Sequence, residues 1–321
     1  MQPLDLSHLI SKLDRLEDGS RRQVGRYLEL IQSRNYADNT LRSVVTAVNR
    51  FLASLPPARQ SALGLELVQT TCADIDSFVA AARDRDLSPS TINTTLSLLK
   101  GFFDFLLEEG ELRQQPIRRH RHRVFAPLTL PKPMAEEDLV PFFKAIDSVR
   151  DRLIFLLMLR CGLRVSEVSR LRWQDLDLAE GTVRINDGKG QVDRVLYLSP
   201  DLGQTLRAWS AHRPAPDWLF PGAGTDSPAL ATRTIYRIMI RYLRQAGVAA
   251  HYSPHCLRQA FATQLLNAGV TLEVLKELMG HRSLNMTLRY TQLYESTKRR
   301  QYDQAMERIE GRQGRLAGAG R

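Results

Sequence analysis

The chain has 321 residues, 43% of them hydrophobic and 25% charged, which places it among soluble globular proteins with room for two ordinary domains. Forty-five Lys and Arg against 35 Asp and Glu leave a formal charge of +10, pointing toward a polyanionic partner such as nucleic acid. The longest apolar run, LIFLLML at Leu153–Leu159, is far too short to span a bilayer, and the N-terminus carries acidic residues and no signal-peptide core. A cytoplasmic protein is therefore expected, with no membrane partner. Its three cysteines (Cys72, Cys161 and Cys256) form no CxxC pair, so buried free thiols are expected rather than disulfides or a zinc site.

In chain order, residues 1–20 read as an N-terminal extension. Residues 21–113 read as helices only, because apolar residues recur at three- and four-residue spacing with Gly, Pro and Asn between the periodic stretches. In the last of these helices Ser88 can cap, Pro89 suits the first helical position, and Ile92, Leu96, Leu99, Phe103 and Leu106 form one stripe that ends near Gly110. Arg42, Arg50 and Lys100 lie off the core stripes, where a charged face is solvated or meets a phosphate backbone.

Residues 114–133 (QQPIRRHRHRVFAPLTLPKP) combine four arginines, two histidines and four prolines, a composition that reads as a basic linker and domain boundary. Such a strap reads as a solubilising hinge and, compatibly with that, as a DNA contact through Arg118, Arg119, Arg121 and Arg123 that gains affinity by counterion release. From Met134 helices return, interrupted once by GTVRINDGKGQVDRVLYL, where two alternating runs flank turn residues and predict a β-hairpin with Lys189 at its tip. The second domain is thus expected to span residues 134–296 and to be mostly helical with a small antiparallel sheet. Residues 297–321 read as a charged helical stretch and a Gly/Ala/Arg tail.

Three segments of this second half concentrate basic and hydroxyl residues: CGLRVSEVSRL around Arg164, SPHCLRQAFATQLLNAG around His255 and Arg258, and LMGHRSLNMTLRYT around His281 and Tyr290. Singly, each has a plain structural reading: a surface ion pair for Arg164 and Glu167, a hairpin turn for the GKG, an interfacial residue for the tyrosine. Jointly, two arginines, a lysine, two histidines and a tyrosine, with no carboxylate cluster to hold a metal, point to phosphoryl transfer without one. Attack on a phosphodiester builds charge on its non-bridging oxygens, so guanidinium forks at Arg164 and Arg258 would replace the usual divalent ion. His255 and Arg258, at i and i+3 of a helix started by Pro254, can serve one phosphate. An ordinary tyrosine is only about one part in a thousand ionised at neutral pH, so the nucleophile needs cationic surroundings. The leaving oxygen needs a proton, for which Lys189 is well placed. Because a covalent ester preserves bond energy, neither ATP nor another cofactor is expected.

These residues resemble the tyrosine recombinase or phage integrase family, especially its Xer-like and transposon-borne members, over about residues 21–295. The segment Gly162-Leu163-Arg164 with Glu167 matches the family's G-L-R-x-x-E pattern, implying Arg164 as phosphate clamp and Glu167 as a residue that supports it. Gly188-Lys189-Gly190 matches the hairpin lysine, implying the general acid. His255-Cys256-Leu257-Arg258 matches the H-x-L-R box, implying His255 as acid/base partner and Arg258 as second clamp. Gly280-His281 is followed nine residues later by Tyr290, the nucleophile at the family's spacing. Many relatives carry a histidine where this chain has Gln259.

The resemblance also implies a mainly α fold of two domains: an N-terminal helical, SAM-like core-binding domain and a C-terminal α+β catalytic domain. Together they would form a C-shaped clamp on double-stranded DNA with inverted half-sites. Two dimers would synapse into a homotetramer, alone or with a second recombinase or accessory factor, and the segment 294–308 would dock on a neighbouring protomer or on its own domain. The implied reaction is site-specific recombination through a 3′-phosphotyrosine. A type IB topoisomerase-like enzyme and a non-catalytic DNA-binding regulator stand as alternatives.

Overall fold

In the computed structural model, the structure describes residues 4–127, 131–186, 193–212, 217–222, 229–281 and 283–288, with single positions at 302, 303, 306, 307 and 309. The chain divides into two compact units, residues 1–128 and 129–321, each built around its own apolar core. Among the described residues no helix is long and apolar enough to cross a membrane.

The first unit consists of α1 (Leu6–Ile10), α2 (Asp18–Ser33), α3 (Asp38–Ala53), α4 (Pro57–Leu65), α5 (Cys72–Asp84), α6 (Pro89–Glu108) and the short α7 (Arg119–His122). Helix α6 follows the stripe read from its sequence. Ser88 Oγ accepts from the Thr91 amide at 3.2 Å, Pro89 occupies the first turn, and Ile92, Leu96, Leu99, Phe103 and Leu106 are all buried against α3. Phe51 of α3 meets Phe78 and Phe103 edge-on, with ring centroids 6.0 and 6.5 Å apart. Thr71 and Asp74 cap α5 reciprocally. Burial alone would push the Asp74 carboxyl up, but Arg59 and the Thr71 donors hold it below its usual range.

Two stretches set apart in the sequence belong to this core. Within residues 1–20, Leu9, Leu13 and Leu16 are buried, a helical spacing concealed because only the five residues Leu6–Ile10 are helical. Within residues 114–133, Ile117 and Val124 are buried on the first unit, and the segment finds substitutes for regular backbone pairing. Asn93 of α6 donates to the Val124 carbonyl at 2.7 Å and accepts from its amide at 3.0 Å. His122 is buried, and its Nδ1 accepts from the Arg118 amide at 2.9 Å, so Nε2 carries the proton and faces Asp76 at 3.2 Å.

The second unit contains α8 (Glu136–Ala145), α9 (Val149–Arg160), α10 (Val165–Arg170), β1 (Leu176–Asp177), β2 (Thr182–Ile185), β3 (Arg194–Tyr197), α11 (Pro200–Ser210), α12 (Thr232–Gln245), α13 (Pro254–Asn267), α14 (Leu272–Met279) and α15 (Leu284–Leu288). The LIFLLML run is apolar all round because α9 is the central helix, packed against α11 and α13 with every residue from Leu153 to Leu159 buried. Beside it lies a three-stranded antiparallel sheet in the order β1-β2-β3, with Val183 opposite Leu196 and Ile185 opposite Arg194. The expected hairpin is thus present in its strands, while its tip lies outside the described residues. Strand β1 is only two residues long, too short to carry an alternating pattern.

Candidate active site

The site is assembled at the ends of α9, α13 and α14, where helix termini leave carbonyls and amides to be satisfied. Helix α9 gives way to Gly162, whose φ of 62° is left-handed and whose missing Cβ leaves room for the Phe261 ring. This turn delivers Arg164 to the start of α10. There the Glu167 carboxylate accepts from the Arg164 amide at 2.7 Å and from Arg164 Nη1 at 2.6 Å, while Arg164 Nη2 reaches the Gly280 carbonyl at 3.3 Å. A quarter of the Arg164 side chain is exposed, 25%, against 5% for Glu167.

Arg258 lies in the first turns of α13 and is 1% exposed. Its Nη1 donates to the Gly162 carbonyl, and its Nη2 donates to the Met279 carbonyl at 2.5 Å and approaches His281 Nε2 at 3.3 Å. A guanidinium has no acceptor, so His281 Nε2 must offer its lone pair, and the ring proton sits on Nδ1, 2.9 Å from Thr287 Oγ1. Burial, and then the guanidinium charges of Arg258, Arg164 and Arg194 with a smaller contribution from His255, push the His281 pKa down to about 4. The imidazole is therefore neutral at physiological pH.

The structure thus brings together Arg164, Glu167, Arg258 and His281 around the left-handed Gly280 that ends α14. His255 stands one helical turn before Arg258 but is exposed, and it bears on His281 through charge. Lys189 and Tyr290 lie outside the described residues. Gln259, the position where this chain departs from many relatives, accepts from the Lys132 amide at 3.1 Å and so ties the incoming chain to α13. Arg118, Arg119, Arg121 and Arg123 are all exposed on the first unit. Arg121 is engaged by a two-pronged ion pair with Asp76, whereas Arg119 and Arg123 line a cavity of about 350 Å³ with Lys100. Burial pushes the Cys161 thiol up to about 12, which leaves it an inert protonated group.

Three features escaped the sequence. Arg194, on β3, donates from Nη1 and Nη2 to the two Glu167 oxygens at 3.1 and 2.8 Å and from Nε to the Leu278 carbonyl at 2.9 Å. The alternation of β3 held the signal, since Arg194 is in phase with the buried Leu196. Thr287 is fully buried on His281, in a segment too short for periodicity to single it out. Helix α12 turns Arg233, Tyr236, Arg237, Arg241 and Arg244 outward and Ile235, Ile238, Met239, Tyr242 and Leu243 inward, the most sharply two-faced helix of the unit.

Comparison with known proteins agrees with this arrangement. Residues 132–297 match the phage integrase family, and residues 24–110 match the phage integrase N-terminal SAM-like domain. The chain is 32% identical over 273 residues to tyrosine recombinase XerA of Pyrococcus furiosus, covering 83% of this chain and 87% of that relative. Among solved structures, a lambda integrase dimer bound to a COC′ core site is similar in fold, with a TM-score of 0.67 at 18% identity over 84% of this chain and 94% of the other. A lambda integrase tetramer bound to a Holliday junction gives the same TM-score and identity over 84% and 76% of the two chains. With its SAM-like helical domain, its small antiparallel sheet and the GLR, HxLR and GH segments folded onto one another, the chain belongs to the phage integrase family of tyrosine recombinases.

Proposed function

We propose that this recombinase cuts and rejoins DNA at specific sites through Tyr290, which attacks a scissile phosphate to give a 3′-phosphotyrosine and a free 5′-hydroxyl. The observation that carries the reading is the convergence of Arg164, Arg258 and neutral His281 on the Gly280 turn, with Glu167 as their only carboxylate among the described residues. Fixed guanidinium charge at a water-poor site stabilises the charge that builds on the phosphate, the task a divalent ion performs elsewhere. Arg164 has the more exposed guanidinium and meets the phosphate directly. Arg258, buried and bonded to the Gly162 and Met279 carbonyls, lends its charge from beneath and holds His281.

Lys189 then protonates the leaving oxygen, His255 serves as acid/base partner at the exposed end of α13, and Glu167 keeps Arg164 in place. The cationic surroundings favour the Tyr290 phenolate. Since the ester conserves the bond energy, the step reverses without ATP. The DNA partner carries inverted half-sites bound by dimers that pair into a tetramer, an assembly supported by the lambda integrase tetramer on a Holliday junction. Arg118, Arg119, Arg121 and Arg123 add contacts to the phosphate backbone.

The test is covalent trapping. Full-length protein is incubated with nicked duplexes cut from the DNA flanking its gene and quenched in detergent, and protein-bound DNA is sequenced, with Tyr290→Phe alongside. Adducts with the wild type alone support the reading. DNA that is bound but never trapped points to a non-catalytic regulator, and, on a closed supercoiled plasmid assayed in parallel, relaxation without joined sites points to topoisomerase-type chemistry.

A further inference from the structure

We propose that Arg194 is a positioning residue of the reaction, one that holds Glu167 so that Arg164 keeps its charge available to the phosphate. The inference rests on the reading of Arg164 as the clamp. Arg194 is itself 5% exposed in its side chain, so it is placed to support the phosphate ligand and not to be one. Its three donor atoms run to two parts of the site. Two reach both oxygens of Glu167 on α10, and the third reaches the Leu278 carbonyl in the last turn of α14. The guanidinium packs so closely under Gly280 that a Cβ at that glycine would stand 2.8 Å from Arg194 Nη1. One side chain thus joins the strand leading from the Lys189 hairpin to the turn that carries His281 and to the helix that Arg164 begins.

The charges give this linkage its function. Glu167 accepts from the Arg164 amide, from Arg164 Nη1 and from both Nη atoms of Arg194, which fills the lone-pair positions of a carboxylate. The buried carboxylate needs this company, since burial pushes its pKa up and the two arginines bring it back below the usual range. With Arg194 present, one negative charge is shared by two cations and the trio keeps a net positive charge. Without Arg194, both oxygens turn to Arg164 alone, and the clamp becomes a neutral ion pair with little left for a phosphate.

The experiment compares wild type, Arg194→Met, Glu167→Gln and the Arg194→Met/Glu167→Gln double variant in the full chain. The substrate is the nicked duplex recovered by covalent trapping, and the readouts are single-turnover adduct formation, DNA affinity and thermal melting. Arg194→Met should slow adduct formation roughly 100-fold while DNA affinity stays within about threefold, the size of effect seen when a supporting partner or one charge donor is lost. Adding Glu167→Gln removes the charge that Arg194 balanced and should recover at least about tenfold of the rate, a rescue that lost packing cannot produce.

Wild-type rates in Arg194→Met, or a loss that Glu167→Gln leaves unrelieved in a protein that still melts cooperatively, overturn the proposal. If Arg194→Met does not fold, Arg194→Lys decides: it keeps the charge but not the fork, so a rate above about a tenth of wild type supports charge sharing and a loss as deep as about 100-fold overturns it. A wild type that forms no adduct sinks the recombinase reading instead. The melting data then judge Arg194 alone, because shifts of Arg194→Met and Glu167→Gln that simply add would break the proposed link, and non-additive shifts would keep it.

Discussion

Replacing Thr287 with valine keeps the shape of a fully buried side chain and removes one hydroxyl. That hydroxyl is the acceptor for His281 Nδ1–H at 2.9 Å. The ring cannot escape by moving its proton to Nε2, because Arg258 Nη2 points an N–H at that atom from 3.3 Å. Thr287→Val therefore leaves a buried donor unsatisfied at a cost of roughly 1–3 kcal/mol. In a unit of this size that is a fall of roughly 2–12 °C in melting temperature. Because Thr287 stands three residues before Tyr290, the lost bond should also slow adduct formation roughly tenfold or more, by analogy with the loss of supporting partners in other sites. Calorimetry gives the first number and single-turnover trapping the second. Nitrogen chemical shifts of His281 report the tautomer directly, with the proton on Nδ1 in the wild type. A Thr287→Val protein with unchanged melting and unchanged cleavage, or an Nε2–H tautomer in the wild type, would refute the reasoning. Thr287→Ser keeps the acceptor and should fall between wild type and valine.

Arg164→Ala and Arg258→Ala should part company. Arg164→Ala should cost about 100- to 1,000-fold in cleavage with little change in melting, whereas Arg258→Ala strands the Gly162 and Met279 carbonyls and His281 and should also lower stability by roughly 1–3 kcal/mol for each group left unpaired, both readable by trapping and calorimetry. His281 makes stability pH-dependent: its folded pKa of about 4 lies below the unfolded value near 6.5, so the unfolded chain takes up the proton first. Stability should be full above about pH 6.5 and fall by on the order of 3 kcal/mol as pH drops to about 4, a slope that His281→Asn should flatten in denaturant titrations. The outward arginines of α12 should meet the phosphate backbone, so Arg233→Ala and Arg237→Ala should each weaken DNA binding and lower the slope of log affinity against log salt by about 0.9. An unchanged slope would place that face away from DNA.

Where a feature repeats along one element, the amino-acid order shows it. The α6 stripe, the Pro254 start of α13 and the flanks of the hairpin are local patterns, and each appears in the structure at the expected residues. The motif residues Arg164, Glu167, Arg258 and His281, from separate segments of the sequence, stand together in the structure. What the order conceals is set by tertiary packing. Leu9, Leu13 and Leu16 gain their place only from the helices they cover. The basic segment after α6 looks like a linker because its anchors are isolated: Ile117 and Val124 supply burial, while Asn93 and His122 supply the pairing that strands and helices would. The different fates of Arg164 and Arg258 depend on carbonyls at Gly162 and Met279, which no side-chain pattern reveals.

On the proposed contact between the basic segment and DNA, the seating of that segment changes what binding costs. Ordering a free backbone costs roughly 1–2 kcal/mol per residue, so a strap that first took shape on the duplex would surrender much of its electrostatic gain to its own immobilisation. Between Arg118 and Val124 the backbone is already pinned, by the His122 ring at one end and by the two-way Asn93 amide at the other. Salt titration of binding by Asn93→Ala should therefore keep the wild-type slope, since the number of arginines is unchanged, while affinity falls at every salt concentration. On the proposed contact, rigidity supplied by two uncharged side chains sets how much of the charge on four arginines the DNA feels.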